Sequence, residues 1–206
     1  MIADRPSGEG AKARPVGGAM PVVGVAASAG GPAALAAILP SMDGIAAPIL
    51  VVQHLDSRFI DDFKDWMARV SALPVEIPED GTALRAGVVY IAAPGLHLKL
   101  GTGRKAVLDA APVSVHRPSA DELFLSMAAH AGRQGVGVVL TGMGDDGAVG
   151  LQALRRAGGT TVVQDRESSA VYGMPSAAGR LDAADHVLPL DRIAAAIDRA
   201  VKARTA

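Results

Sequence analysis

The sequence predicts an α/β protein: a doubly wound, mostly parallel sheet with helices on both faces. Two observations carry this prediction. Short aliphatic runs of strand length alternate with stretches of helical period from residue 22 to residue 201. Half of the 206 residues are hydrophobic but only 3% are aromatic, so a substantial core must be assembled from Ala, Val, Leu and Ile. Runs that are apolar throughout, rather than alternating, suit strands covered on both faces.

Taken in order, residues 1–20 are Gly, Pro and charge without hydrophobic period, the pattern of a flexible leader or linker. Residues 21–206 then form one domain. A first strand spans 22–26 and a helix spans 32–39, opened by Pro32 and stopped at Pro40. A second buried strand covers 49–52. Phe59, Phe63, Trp66, Met67 and Val70 recur at helical spacing and predict a helix over 59–70 with those residues inward. Short strands follow at 75–77 and 88–92. Alternation on both sides of Gly101-Thr102-Gly103 predicts an antiparallel hairpin over 97–108. Ser119 with Glu122 three residues on reads as a capping box for a helix over 121–131. A strand at 136–140 leads into a helix ended by Gly158-Gly159. A strand at 160–163, a short helix near 177–180, a strand at 186–188 and a helix from Asp191 complete the chain.

Composition removes several function classes. Twenty basic and 21 acidic residues leave a formal charge of −1, which offers nothing to nucleic acid or an anionic membrane. The chain has no cysteine, so disulfides, thiol catalysis and cysteine-ligated metal are excluded. No apolar run is long enough to cross a bilayer, and Met1 to Met20 lack the apolar centre of a signal peptide. The expectation is a cytoplasmic protein with no direct membrane insertion.

Sheets of this kind place their sites at the carboxyl ends of strands, and three such ends carry polar groups. Ser28 follows the first strand in Ala27-Ser28-Ala29-Gly30-Gly31-Pro32, at a turn rich in unpaired backbone N–H groups. His54 follows the second, and Asp145-Asp146 follow the strand at 136–140. Each has an ordinary explanation: a turn or a phosphate cradle at Gly30 and Gly31, a packed histidine, an aspartate N-cap. Together they supply a nucleophile, a base and an orienting acid in the order Ser, His, Asp, with Ala29, Gly30, Met143 and Gly144 offering backbone N–H groups to an oxyanion. An α/β-hydrolase would run Ser, Asp, His. A Walker lysine is missing, paired carboxylates would repel phosphate, and no histidine pair has helical metal-ligand spacing. No metal and no cofactor is expected. A Rossmann-like nucleotide binder and a catalytically idle docking module remain as alternatives at this point.

Six segments in register make the pattern specific: Ala27-Ser28-Ala29-Gly30-Gly31, Val52-Gln53-His54, Tyr90 to Gly95, His116-Arg117-Pro118-Ser119, Leu140 to Ala148, and Tyr172-Gly173-Met174-Pro175. They resemble the catalytic domain of the chemotaxis protein-glutamate methylesterase family (CheB) over nearly all of residues 21–201. The resemblance implies Ser28 as nucleophile, His54 as general base, Asp146 as its orienter and the Met143 region as part of the oxyanion pocket. It implies hydrolysis of γ-glutamyl methyl esters on chemoreceptor helical bundles, with deamidation of receptor glutamines in some members. Ala29 stands where threonine is common, and Asp145 where asparagine is common. A phosphoryl-accepting receiver usually precedes this module, and residues 1–20 are too few to form one, so a separate receiver or regulatory domain is a further expected partner.

Overall fold

The computed structural model describes residues 20–112 and 115–205. The aliphatic runs become parallel strands: β1 (Val22–Ala27), β2 (Ile49–Gln53), β3 (Val75–Glu76) and β4 (Val89–Ile91). His97–Gly101 (β5) and Lys105–Asp109 (β6) form a separate antiparallel hairpin, as the alternation predicts. Gly135–Val139 (β7), Thr160–Gln164 (β8) and His186–Leu188 (β9) complete a seven-stranded sheet of order β3-β4-β2-β1-β7-β8-β9. All its pairings are parallel. The chain builds one half outward from β1 through β2, then returns to lay β7 on the other flank of β1. The C-terminal crevice at that switch is where such sheets hold their sites.

Six helices pack on the sheet among the described residues: α1 (Gly31–Ile38), α2 (Ile60–Val70), α3 (Ala120–His130), α4 (Ala148–Arg156), α5 (Met174–Arg180) and α6 (Leu190–Thr205). Val23, Val25, Val51 and Val138 face Leu35, Phe63, Met67 and Ile197 of α1, α2 and α6. Val22, Ala26, Val52 and Val139 face Phe124, Leu151 and Met174 of α3, α4 and α5, joined by Leu98 and Leu100 of the hairpin. Each such buried aliphatic or aromatic side chain contributes roughly 1.5–3 kcal/mol, so the few aromatics are offset by continuous aliphatic layers.

The expected leader over 1–20 lies, except for Met20, outside the described residues. Three details differ from expectation. Pro40 does not end the first helical segment outright; α1 tightens into a 3₁₀ turn over Leu39–Ser41 that accommodates it. Phe59, expected inward on the helix, is 51% exposed. It belongs to a 3₁₀ turn, Ser57–Phe59, capped by the Asp56 side chain, and lies outside the regular period of α2. The capping box at Ser119 is half made. Ser119 accepts from Glu122 N–H at 3.5 Å, but Glu122 pairs with Lys99, and Ser119 N–H donates to His97 Nδ1.

Candidate active site

Sheet register brings the first two site residues together. Ala27 of β1 lies opposite Gln53 of β2, so Ser28 and His54 leave adjacent strands as neighbours. His54 N–H donates to Ala27 O at 2.9 Å, and Ser28 N–H donates to Thr141 O, just past β7, at 3.1 Å. Ser28 is half-buried in the crevice between β2 and β7. A Cβ on Gly142 would lie 2.8 Å from the Ser28 Cβ, so the β7 loop passes directly over the serine.

His54 and Asp146, 92 residues apart in sequence, are hydrogen-bonded through Nε2 and Oδ2 at 2.8 Å. Both are largely buried, with 12% and 7% of their side chains exposed. Asp146 was expected at the N-terminus of its own helix. The N-cap of α4 is instead Gly147, and the Asp146 carboxylate crosses to the N-terminus of α3. There Oδ2 also accepts from Ala120 N–H at 2.7 Å, while Oδ1 accepts from Asp121 N–H at 3.0 Å and Ser119 Oγ at 2.7 Å. Burial pushes the carboxyl pKa up, but hydrogen bonds from His54, Ala120, Asp121 and Ser119 outweigh it and lower the value to about 2. An ionised Asp146 only accepts, so His54 Nε2 carries the proton and donates it. The other ring nitrogen, Nδ1, is buried and without a hydrogen-bond partner. A neutral imidazole in this tautomer holds its lone pair there.

The remaining predicted groups lie around this core. Ala29 and Gly30 are exposed at the turn into α1, with Gly30 at φ 77°. Met143 is 72% exposed, Gly144 turns the chain at φ 93°, and Asp145 points outward as an exposed residue. Among the described residues, neither Ala29 N–H nor Met143 N–H donates to an acceptor within the protein. They are donors of the type an oxyanion needs.

Three residues around the site were not recognised as site residues in the sequence. Ser119 was read as a cap and also holds Asp146. His116 stacks on His54 with ring centroids 4.3 Å apart and planes 11° apart. Its place in His116-Arg117-Pro118-Ser119, directly before α3, is the available signal. Gln53, the last residue of β2, bonds the backbone of both Ser28 and His54. Ser119, His97 and Asp146 are also linked by hydrogen bonds, through Ser119 Oγ to Asp146 and Ser119 N–H to His97. No cluster of three or more His, Asp or Glu side chains suited to a metal occurs among the described residues, and no helix there is long and apolar enough to cross a membrane.

Comparison with known proteins supplies the family. The CheB methylesterase family matches residues 23–197. A protein-glutamate methylesterase/protein-glutamine glutaminase of Bordetella avium is 46% identical over 180 residues, covering 86% of this chain and 53% of that protein. One from Anaeromyxobacter dehalogenans is 49% identical over 177 residues, covering 85% and 52%. The chain thus spans about half the length of these curated relatives. The crystal structure of the Thermotoga maritima CheB methylesterase catalytic domain superposes with a TM-score of 0.84 at 33% identity, over 88% of this chain and 98% of that one. By sequence and by fold, this chain belongs to the CheB methylesterase family.

Proposed function

We propose that this protein is a cytoplasmic serine hydrolase that demethylates glutamate γ-methyl esters on the helical bundles of methyl-accepting chemoreceptors. Deamidation of receptor glutamines is a second reaction of the same site, as the names of the relatives suggest. A receiver or other regulatory domain is the further partner, and neither metal nor cofactor takes part. The observation that carries the reading is the state of His54. One nitrogen is fixed on an ionised carboxylate and the other keeps a buried, unpartnered lone pair, on a residue whose backbone is hydrogen-bonded to Ala27 next to Ser28.

Ser28 Oγ attacks the ester carbonyl carbon while its proton passes to His54 Nδ1. The charge that develops on the carbonyl oxygen is received by Ala29 and Met143 N–H groups, with Gly30 and Gly144 shaping the two turns. Asp146 stabilises the imidazolium. As the tetrahedral intermediate collapses, the C–O bond to the methoxy group breaks and the His54 proton leaves with it as methanol. Water then attacks the acyl-serine with His54 again as base, and the glutamate carboxylate and Ser28 hydroxyl are released. From a glutamine substrate the first leaving group is ammonia.

Relative to the familiar triad, the imidazole nitrogens exchange roles in this reading: Nε2 is bonded to the acid, which leaves Nδ1 to take the hydroxyl proton. A second reading takes Ser119, His97 and Asp146 as the triad, favoured by the 2.7 Å bond from Ser119 Oγ to Asp146. In that set both His97 nitrogens are already engaged, Nδ1 by Ser119 N–H and Nε2 by Pro112 O, so no lone pair is open to take the hydroxyl proton, whereas His54 Nδ1 is open. The test is labelling with a fluorophosphonate, paired with methanol release from methylated chemoreceptor fragments. Wild-type protein and Ser119→Ala should label and release methanol, whereas Ser28→Ala should do neither. Equal methanol release by Ser28→Ala overturns the assignment.

A further inference from the structure

Gln53 ends β2 at 3% exposure, between the two residues assigned as nucleophile and base. Its Nε2 donates to Ser28 O and to His54 O, each at 2.9 Å. Both partners are carbonyl oxygens, so the amide nitrogen must face them. Ser28 O also accepts from Gly31 N–H at 2.8 Å. The carbonyls that follow nucleophile and base are thereby tied to one side chain and to the first turn of α1.

Two further features bear on why a glutamine stands there. Its Oε1 is buried and unpartnered, which costs stability. A leucine would fill similar volume without an orphaned acceptor, so packing alone does not account for the amide. In addition, a Cβ on Gly31 would overlap Gln53 Oε1 and lie 2.7 Å from Ala27 Cβ and 3.0 Å from Gln53 Cδ. The residue after Gly30 is thus kept bare where the Gln53 amide sits.

Gln53 and Gly31 lie outside the triad and the oxyanion donors, and the paired bonds act on peptide planes rather than on reacting atoms. We infer that Gln53 is a positioning residue: its amide locks the Ser28 and His54 peptide groups together, which fixes the two strand ends from which Oγ and Nδ1 must come together for proton transfer. This rests on Ser28 and His54 being nucleophile and base. Small misplacements between reacting groups are costly in rate, while substrate binding on the surrounding surface is unaffected.

The test compares Gln53→Leu and Gln53→Met, which keep volume without donors, with Gly31→Ala, which displaces the amide and also presses on Ala27 while leaving Gln53 in the sequence. Ser28→Ala is measured in parallel. Active sites are counted by fluorophosphonate titration of the full chain, and kcat is expressed per titrated serine. The expected result is a fall in kcat of roughly tenfold to a hundredfold with KM within about twofold of wild type, in the Gln53 variants and in Gly31→Ala alike. A merely structural role would lower the titrated fraction and leave kcat per site unchanged, and that outcome overturns the inference. If Gln53→Leu and Gln53→Met do not fold, Gln53→Asn, which keeps an amide one methylene short of the two carbonyls, decides by the same criterion. Hydrolysis by Ser28→Ala would instead sink the assignment of the nucleophile.

Discussion

His54 and His97 are both linked to Asp146, one directly and the other through Ser119, and their hydrogen bonds separate them. His97 is fully buried and both its nitrogens are engaged: Nδ1 accepts from Ser119 N–H at 3.1 Å, so Nε2 carries the proton and donates to Pro112 O at 2.8 Å. His54 has one nitrogen on Asp146 and one with no partner. A buried polar atom left open calls for an explanation, and a waiting proton acceptor supplies one. Proximity to the carboxylate does not make a base; an available lone pair does. Replacing each histidine breaks or sharpens this contrast most. His54→Ala should lower kcat by roughly four orders of magnitude or more while folding normally. His97→Gln can still accept and donate, so kcat should stay within about threefold, at a cost of about 1–2 kcal/mol in urea unfolding. Loss of methanol release in folded His97→Gln, with His54→Ala active, would reverse the two roles.

The next largest effects concern the carboxylate. All four partners of Asp146 are donors: His54 Nε2, Ala120 N–H, Asp121 N–H and Ser119 Oγ. Asn in this place would set its own amide N–H₂ against donors. Asp146→Asn should therefore cost up to about four orders of magnitude in kcat, as loss of the orienting acid does in a Ser-His-Asp triad. Ser119→Ala removes one of the four and leaves the His54 bond in place. It should cost roughly tenfold or less in kcat and about 1–2 kcal/mol in stability. If Ser119→Ala matches Ser28→Ala in lost turnover, Ser119 is more than a support for Asp146.

The same contrast explains what the sequence revealed. Ser28 and His54 follow aliphatic runs that could hardly be anything but buried strands, and parallel register then sets Ser28 beside His54. Strand periodicity is local and strong. Asp146 was visible as a polar group at a strand end, but its destination was not. Its own loop suggested the N-terminus of α4, whereas its carboxylate serves α3, whose first residue lies 26 positions earlier. Contacts of that kind depend on how two helices pack, which no local pattern encodes. Ser119 was seen through its cap, a local interaction, and its bond to Asp146 was hidden for the same reason. His116 and Gln53 were in view as segments, yet stacking and an amide clamp leave no spacing to read. Phe59 shows the converse: apolar identity at helical spacing was insufficient because the chain tightens into a 3₁₀ turn just there.

The smallest predicted effect tests how firmly that carboxylate is held. The Asp146 pKa falls from 3.8 to about 2 on folding. A carboxyl whose folded value is below its unfolded value adds stability above the unfolded pKa and loses it as pH falls through the folded one. Here the contribution is fully present above about pH 4 and fades towards pH 2, and its size is about 2 kcal/mol. Asp56, Asp65, Asp109 and Asp185 are also lowered and titrate in the same direction, while burial first and the neighbouring Asp146 charge among lesser causes raise Asp121. These groups are common to wild type and Asp146→Asn, so most of their effect cancels in the difference between the two. The part of the Asp121 shift due to Asp146 does not cancel: it destabilises the wild type above pH 4, is relieved on acidification, and trims the difference slightly. Unfolding free energies measured by urea from about pH 5 to about pH 2 should therefore fall about 2 kcal/mol further for wild type than for the variant. Parallel curves would mean that the α3 N-terminus and His54 do not hold the carboxylate as tightly as four short hydrogen bonds imply.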